Sequence, residues 1–507
     1  MSTTKLVSYD IVITNGRVMD PKTRTDVIAN VGISSGTICA IVPPEQKLDG
    51  EMVIDASGLV VAPGFIDMHA HEDIETVESE SPNIPAAMQI IPLPPLKTMR
   101  CYVLDGVTTM IAGNCGMSVH PVAHYFNILE QEGCLINYAS HCGHVSLREQ
   151  IGANDRYSPA TPKQIERMKT MAARDMQAGA LGISYGLMYT PGSSYDELLA
   201  LARVSAEYGG ITAAHARGSG NAPKALDSMN EMIRLSRDSG IAHEYSHIGS
   251  MAAYGNYMDL CLEAMNKAQG QGIRVFADIY PYFAWATGLG TAIFDEGFFD
   301  RYKCVPADLE TTRDIIIDGE TVMHVGDRYT LKLFERIRPL VLEGKITESL
   351  VIGHTLKRDK VKLAMLNPYV MIGSDGGVAT DTKTGEIAGH PRTTGTYAKF
   401  LGEFVRQEGL MNLMTALFKC STLPAEVLGL KNKGRMSVGA DADVTIFNSD
   451  TVIDKATFGA GFMEPPEGIE YVIVNGILVV RNGELVSNVM PGRVIRRTWE
   501  TLKNIPR

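Results

Sequence analysis

Two histidines one residue apart, in Pro63-Gly-Phe-Ile-Asp-Met-His-Ala-His71, carry the first chemical signal of the chain. Side chains two apart on a strand project from the same face, so His69 and His71 can chelate one ion. Alone, the pair reads as readily as two histidines on a polar strand face. Four further donors change that weighing. Cys115 stands in Ala112-Gly-Asn-Cys-Gly-Met-Ser118, where flanking glycines let the backbone bend and turn a thiolate toward a cavity. His215 closes Gly210-Ile-Thr-Ala-Ala-His215, His247 closes Glu244-Tyr-Ser-His247, and Asp375 closes Val370-Met-Ile-Gly-Ser-Asp375. Taken singly, Cys115 reads as a core residue, His247 as a satisfied histidine and Asp375 as a helix N-cap. Four such coincidences at the ends of apolar runs are improbable, and a metal centre explains them together.

Imidazoles, a thiolate and a carboxylate suit zinc better than magnesium or calcium, which prefer all-oxygen shells; iron and nickel fit the ligand types as well. A catalytic zinc keeps a position open for water and lowers its pKa. Asp375, an acceptor when ionised, is placed to take a proton and return it to a leaving nitrogen. The expected chemistry is hydrolysis.

Such donors need a frame that brings distant segments to one place. Between residues 64 and 430, strand-like runs alternate with helix-like stretches, the pattern of a parallel sheet closed by helices. Candidate strands end at His71, Cys115, His141, Tyr185, His215, His247, Tyr280 and Asp375, and eight ends predict an α/β fold of the (β/α)8 type with every ligand at one mouth. Residues 162–178, 194–208, 224–239 and 258–271 show the 3.6-residue spacing of an outer helical ring. The interval 285–364 is too long for one connection and reads as an inserted, lid-like segment. Short β-branched runs with Asn-Gly breaks fill residues 10–19, 54–63, 439–447 and 470–480, which predicts a small β-sandwich domain from both termini, residues 1–63 with 431–507.

A net charge of −11 argues against a general nucleic-acid or anionic-membrane binder. Residues 1–10 hold no apolar signal segment and no stretch is long enough to span a membrane, so a soluble cytoplasmic protein is expected. Eight cysteines without CxxC spacing predict neither a disulfide framework nor a zinc ribbon. Oligomeric state is not legible.

These motifs resemble the amidohydrolase superfamily and, within it, the N-acyl-D-amino-acid deacylase (D-aminoacylase) family. The likeness runs through Asn15-Gly-Arg-Val, the HxH strand, Gly113-Asn-Cys-Gly116, Gly143-His-Val-Ser-Leu-Arg148, Tyr280-Pro-Tyr282, Gly373-Ser-Asp-Gly376, His390-Pro-Arg392 and the segment Gly434 to Asp443. It implies a barrel beside a β domain, a tight zinc site at Cys115, His215 and His247, and a weaker second site at His69 and His71. It also implies a catalytic Asp375 that can touch the second metal. Arg392 then holds the carboxylate of a small-molecule substrate, with Tyr280 and Tyr189 beside it. Many superfamily members bridge two metals with a carboxylated lysine after strand four; this chain has Ser184-Tyr185 there, so the thiolate takes that place. Family patterns are lost at His215-Ala-Arg-Gly-Ser219, at Ile248-Gly-Ser-Met251 and at Ala286, between Trp285 and Thr287.

Three other readings follow from the same residues. A cyclic-amide hydrolase of hydantoinase or dihydroorotase type would use the same scaffold, against which the missing lysine argues. A cysteine hydrolase would use Cys115 as nucleophile and His144 as base. A non-catalytic scaffold protein should have lost its ligands, yet all six are present.

Overall fold

The computed structural model describes residues 8–71, 74–76, 96–218, 222–346, 350–381 and 387–497. Ser219 and most of the stretch 1–10 lie outside the described residues. Eight parallel strands occupy the centre: Phe65–Asp67, Val107–Ala112, Asn137–Ser140 continued by Cys142–Gly143, Gly182–Gly186, Ile211–His215, His243–Tyr245, Val275–Ile279 and Val370–Ile372. They pair in chain order. The ring closes where the Asp375 N–H donates to the His69 carbonyl and the His71 N–H to that of Gly376, each at 2.8 Å. This is the expected barrel, and each ligand lies at or just beyond a strand's C-terminal end.

One apolar cluster draws a residue from within or immediately before each strand, Ile66, Ile111, Ala139, Leu181, Ile211, Ala242, Phe276 and Met371, and packs on Leu423, Val427 and Leu428 of the last helix. It fills the barrel below the mouth, so the ligands stand on a dry, rigid floor.

The outer ring follows the helical spacing of the sequence. Pro162–Ala178 starts at Thr161, whose hydroxyl accepts from Gln164 N–H in a capping box, and stops at left-handed Gly179. Tyr195–Glu207 is capped by Ser194, and Ala222–Ser239 and Tyr257–Gly270 complete this side.

After the seventh strand the chain leaves the barrel. Trp285–Gly288, Leu309–Thr311 and Leu350–Gly353 form a small antiparallel sheet, joined by the hairpin Ile315–Ile317/Glu320–Met323 and the helix Leu331–Leu342. Trp285, Phe294, Phe298 and Tyr302 pack ring against ring as its core. The helix Arg358–Leu366 packs on the seventh and eighth strands, as an outer-ring helix does.

Nine strands from both termini form one hydrogen-bonded sheet that branches at Ser8–Asp20. A register shift between Ile13 and Gly16 bends this strand: residues up to Thr14 pair with Asp49–Asp55, and Arg17 and Val18 pair with Val60–Pro63. Side chains alternate as a period of two requires: Val61, Val444, Ile446 and Ile473 enter the sheet's own core, while Val60, Ala62, Val472 and Val474 pack with the barrel's. Asp443 ties the two units, accepting from Asn137 Nδ2 at 3.0 Å and Asn475 N–H at 2.8 Å. Among the described residues no helix is long and apolar enough to cross a membrane. All eight cysteines are free thiols.

Candidate active site

The segment Gly113-Asn-Cys-Gly116 is shaped by close packing. A Cβ on Gly113 would meet the His141 carbonyl at 2.4 Å, and one on Gly116 would meet Gly186 N at 2.5 Å, so the loop needs both glycines. Asn114 Nδ2 donates to the carbonyls of Ile111, Met68 and Ala70 at 2.9, 3.3 and 3.4 Å, joining the loop to the HxH strand. From the fourth strand, Ser184 Oγ donates to Gly113 O and accepts from Gly116 N–H at 3.1 Å. Ser184 therefore braces the loop that carries the thiol.

Cys115 Sγ lies 3.4 Å from both His69 Nε2 and His247 Nε2. Asp375 Oδ1 lies 3.1 Å from His71 Nε2 and 3.4 Å from His69 Nε2. The His215 ring packs edge-on against His247, centroids 4.4 Å apart, and against Tyr189 at 4.7 Å. All six expected ligands thus share one mouth. Ligand atoms of His69, Cys115, His247 and Asp375 lie within 4.8 Å of one another. His69 is as near to Cys115 as His247 is, so these distances group the first histidine with the thiol more closely than a split into two separate sites implies.

The donor set fits an ion. Zinc–ligand lengths of 2.0–2.3 Å in a tetrahedron separate ligands by about 3.5 Å, close to the sulfur–nitrogen spacings seen. Electrostatics point the same way. Burial alone would raise the Cys115 thiol, but the imidazoles of His69 and His247 hold it well below its ordinary value. Burial opposes charge on Asp375 too, and Arg392, His247 and His69 keep it well below the usual carboxylate range. His71 is disfavoured as a cation by burial, yet its bond to Asp375 carries its pKa up to about 9. The thiolate and the carboxylate are in the protonation states that bind a metal, and His71 gives up its proton when an ion is held.

Arg392 opens the helix Arg392–Lys399, where its N–H donates to His390 Nδ1 at 3.0 Å. Its guanidinium lies 4.7 Å over the Tyr280 ring and 2.8 Å from Asp375 Oδ2. Its Nε is buried without a hydrogen-bond partner.

Sequence reasoning missed Asp278, a lone acid in the apolar strand Val275–Ile279, which bonds His69 Nδ1 at 3.1 Å and accepts from His247 N–H at 2.7 Å. An aspartate inside an apolar run was the signal that could have found it. His144 serves elsewhere: its Nε2 lies 2.8 Å from Glu197, whose carboxylate Arg148 also holds at 2.7 Å. The Gly143–Arg148 motif is a buried ion network, and the imidazoles beside the Cys115 sulfur are His69 and His247.

Comparison with known proteins agrees with this geometry. Residues 348–479 match the amidohydrolase family. The N-acyl-D-glutamate deacylase of Alcaligenes xylosoxydans xylosoxydans is 31% identical over 96% of this chain and 96% of its own length. The D-aminoacylase of the same organism is 28% identical over 98% of this chain and all of its own. Among solved structures, the N-acyl-D-glutamate deacylase of Bordetella bronchiseptica, complexed with zinc and a phosphonate mimic of the tetrahedral intermediate, superposes with a TM-score of 0.80 at 29% identity, covering 97% of this chain and 100% of that one. With a whole-length relative above 30% identity and the barrel, the terminal β domain and the thiol-centred mouth in place, this chain belongs to the N-acyl-D-amino-acid deacylase family of the amidohydrolases.

Proposed function

We propose that the protein hydrolyses the amide bond of N-acyl-D-amino acids, releasing a carboxylate and a free D-amino acid. The residues that would hold zinc are Cys115, His215 and His247 with His69, His71 and Asp375 around them, one ion tightly and a second more weakly. Bound there, zinc supplies a Lewis acid that polarises the acyl carbonyl and lowers the pKa of the attacking water. Asp375 Oδ1 accepts the proton released as the water oxygen attacks the acyl carbon, and delivers it to the nitrogen as the C–N bond breaks. Arg392 receives the substrate's free carboxylate, and the Tyr280 ring beneath it holds the guanidinium plane toward the mouth. Tyr189, against His215, walls the same opening.

The observation that carries the substrate reading is the buried Arg392 Nε with no partner, because an unpaired buried donor is costly unless a ligand satisfies it. A screen of N-acetyl and N-formyl amino acids of both configurations, read by released amine, tests the reaction. Free acids of the D series should be turned over, and substrates with the carboxylate converted to an amide should be poor. Arg392→Ala should lower kcat/KM for the free acid by roughly 10- to 100-fold more than for the amide analogue, because a charge-assisted bond contributes about 1.5–3 kcal/mol, while any loss common to both reports the Arg392–Asp375 ion pair. Equal turnover of acids and amides, or an inert Arg392→Ala, would sink the linear N-acyl-amino-acid reading and send the search to hydantoin and dihydropyrimidine rings.

A further inference from the structure

Three barrel strands place inward-facing residues just above the apolar floor: Glu244 two residues after Ala242, Asp278 two after Phe276, and Gly373 two after Met371. Two carboxyl groups therefore occupy a layer that barrels normally fill with Val, Ile and Leu. Both are fully buried, at 1% and 0% exposure. Burying two carboxyls costs several kcal/mol unless partners compensate, so the arrangement calls for an explanation.

The partners are ligand residues. Asp278 Oδ1 takes the His69 Nδ1–H at 3.1 Å and the His247 N–H at 2.7 Å, so one oxygen holds two strands' worth of metal ligands. The first contact decides which ring nitrogen carries the proton: with Nδ1 donating, the His69 Nε2 lone pair faces Cys115 and Asp375. The second contact holds His247 at φ +38°, in the left-handed region that few non-glycine residues adopt. That turn breaks the strand's alternation after Ser246 and swings the imidazole toward the thiol.

Two more features hold Asp278 in place. Gly373 leaves room for it: a Cβ there would lie 3.0 Å from Asp278 Oδ2 and 3.1 Å from its Cβ. Behind it, Glu244 Oε2 accepts from Ser246 Oγ at 2.8 Å, while Glu244 Oε1 and Asp278 Oδ2 are both buried without another partner. Burial and the neighbouring Asp278 push the Glu244 carboxyl well up.

We infer that Asp278, seated against Gly373 and backed by Glu244, is a positioning residue that fixes the His69 tautomer and the His247 backbone so that both imidazoles present Nε2 to the metal centre. This rests on the metal reading of the mouth. It assigns work to the glycine of Gly373-Ser374-Asp375 and to an acid that the sequence hides in an apolar strand.

The test is metal affinity rather than turnover. Purified protein is stripped, then titrated with zinc against a chromophoric chelator and with cobalt(II), whose visible bands report ligand geometry. Asp278→Ala should weaken zinc by about 10- to 100-fold, the range for loss of such a supporting bond, and shift the cobalt bands. Asp278→Asn keeps an acceptor toward both donors and should recover most of the affinity. Gly373→Ala touches no ligand and removes no carboxylate, yet should weaken zinc several-fold by displacing Asp278; it decides the matter if Asp278→Ala does not fold. Wild-type affinity and cobalt bands in Asp278→Ala, or in a folded Gly373→Ala, would overturn the inference while leaving the metal reading intact. A wild-type protein that holds no tight ion would overturn both.

Discussion

The barrel mouth and the terminal β domain use the same unusual backbone conformation for opposite reasons. In the β domain, positive φ falls on Ser35-Gly36, Asn475-Gly476 and Asn482-Gly483, residues that tolerate the left-handed region and supply the tight hairpin turns between strands. At the mouth it falls on Cys115, His247 and Asp375, at +54°, +38° and +49°, three of the candidate ligands. There the conformation is imposed by packing, as strained residues at functional sites are. The difference shows where the chain obeys local preference and where tertiary contacts override it. Histidine is distributed the same way: none of the 12 lies in residues 1–63 or 431–507.

The largest effect should come from removing chemistry at these strained positions. Cys115→Ala should cost the tight ion and with it turnover, because the thiolate stands between two imidazoles. Asp375→Asn is the sharper variant. Asparagine accepts positive φ as readily as aspartate, so the fold and the ion should be kept while turnover falls by at least ~10²-fold. Stoichiometric zinc with full activity in Cys115→Ala would remove the thiolate from the site, and a near-wild-type rate in Asp375→Asn would move the base elsewhere.

That contrast also sets what the sequence could reveal. Eight strand ends, the four outer helices and the six donors were readable because burial leaves a period of two or 3.6 in the chain, and ligands punctuate it. Asp278 was not, since a single acid among Val275, Phe276, Ala277 and Ile279 has no local partner; its contact with His69 spans 209 residues and exists only after the barrel closes. Sequence spacing places most of the helix Arg358–Leu366 in the inserted segment for a similar reason: only its packing on the seventh and eighth strands marks it as a ring helix. The branch of the β sheet depends on a bulge between Ile13 and Gly16, which leaves no periodic trace.

A middle-sized effect should appear in acid. His243 is fully buried at the start of the sixth strand, with Nδ1 2.9 Å from Thr212 Oγ1 and Nε2 without a partner, and burial alone lowers its pKa to about 3. The folded pKa lies below the unfolded value of 6.5, so the folded state binds fewer protons than the unfolded one between these values. Stability is therefore complete above pH 6.5 and is lost as pH falls toward 3, by up to about 1.4 kcal/mol per pH unit from this group. Denaturant midpoints measured from pH 7 to pH 4 should fall less steeply in His243→Gln. The loss should localise to the barrel, which amide exchange can show, since the β domain has no histidine to titrate. Identical pH slopes in wild type and His243→Gln would mean that this histidine is protonated in the folded protein.

The smallest effect belongs to the β domain and tests whether its turns are only structural. Asn482 and Gly483 link Ile477–Arg481 to Glu484–Leu485 with Arg481 paired to Glu484, a two-residue turn whose φ values are +53° and +76°. Asn482 is exposed at the sheet's edge. Alanine there forces a Cβ into the left-handed region without the local hydrogen bonding that asparagine provides, at a cost of about 1 kcal/mol, whereas glycine should be nearly neutral. Asn482→Ala should therefore lower the unfolding midpoint slightly, Asn482→Gly should match wild type, and kcat/KM should be unchanged in both. A loss of turnover in Asn482→Ala would break the comparison, because it would mean that strain at a sheet-edge turn reaches the ligands through Asp443 and Asn137, the bonds that tie the two units together.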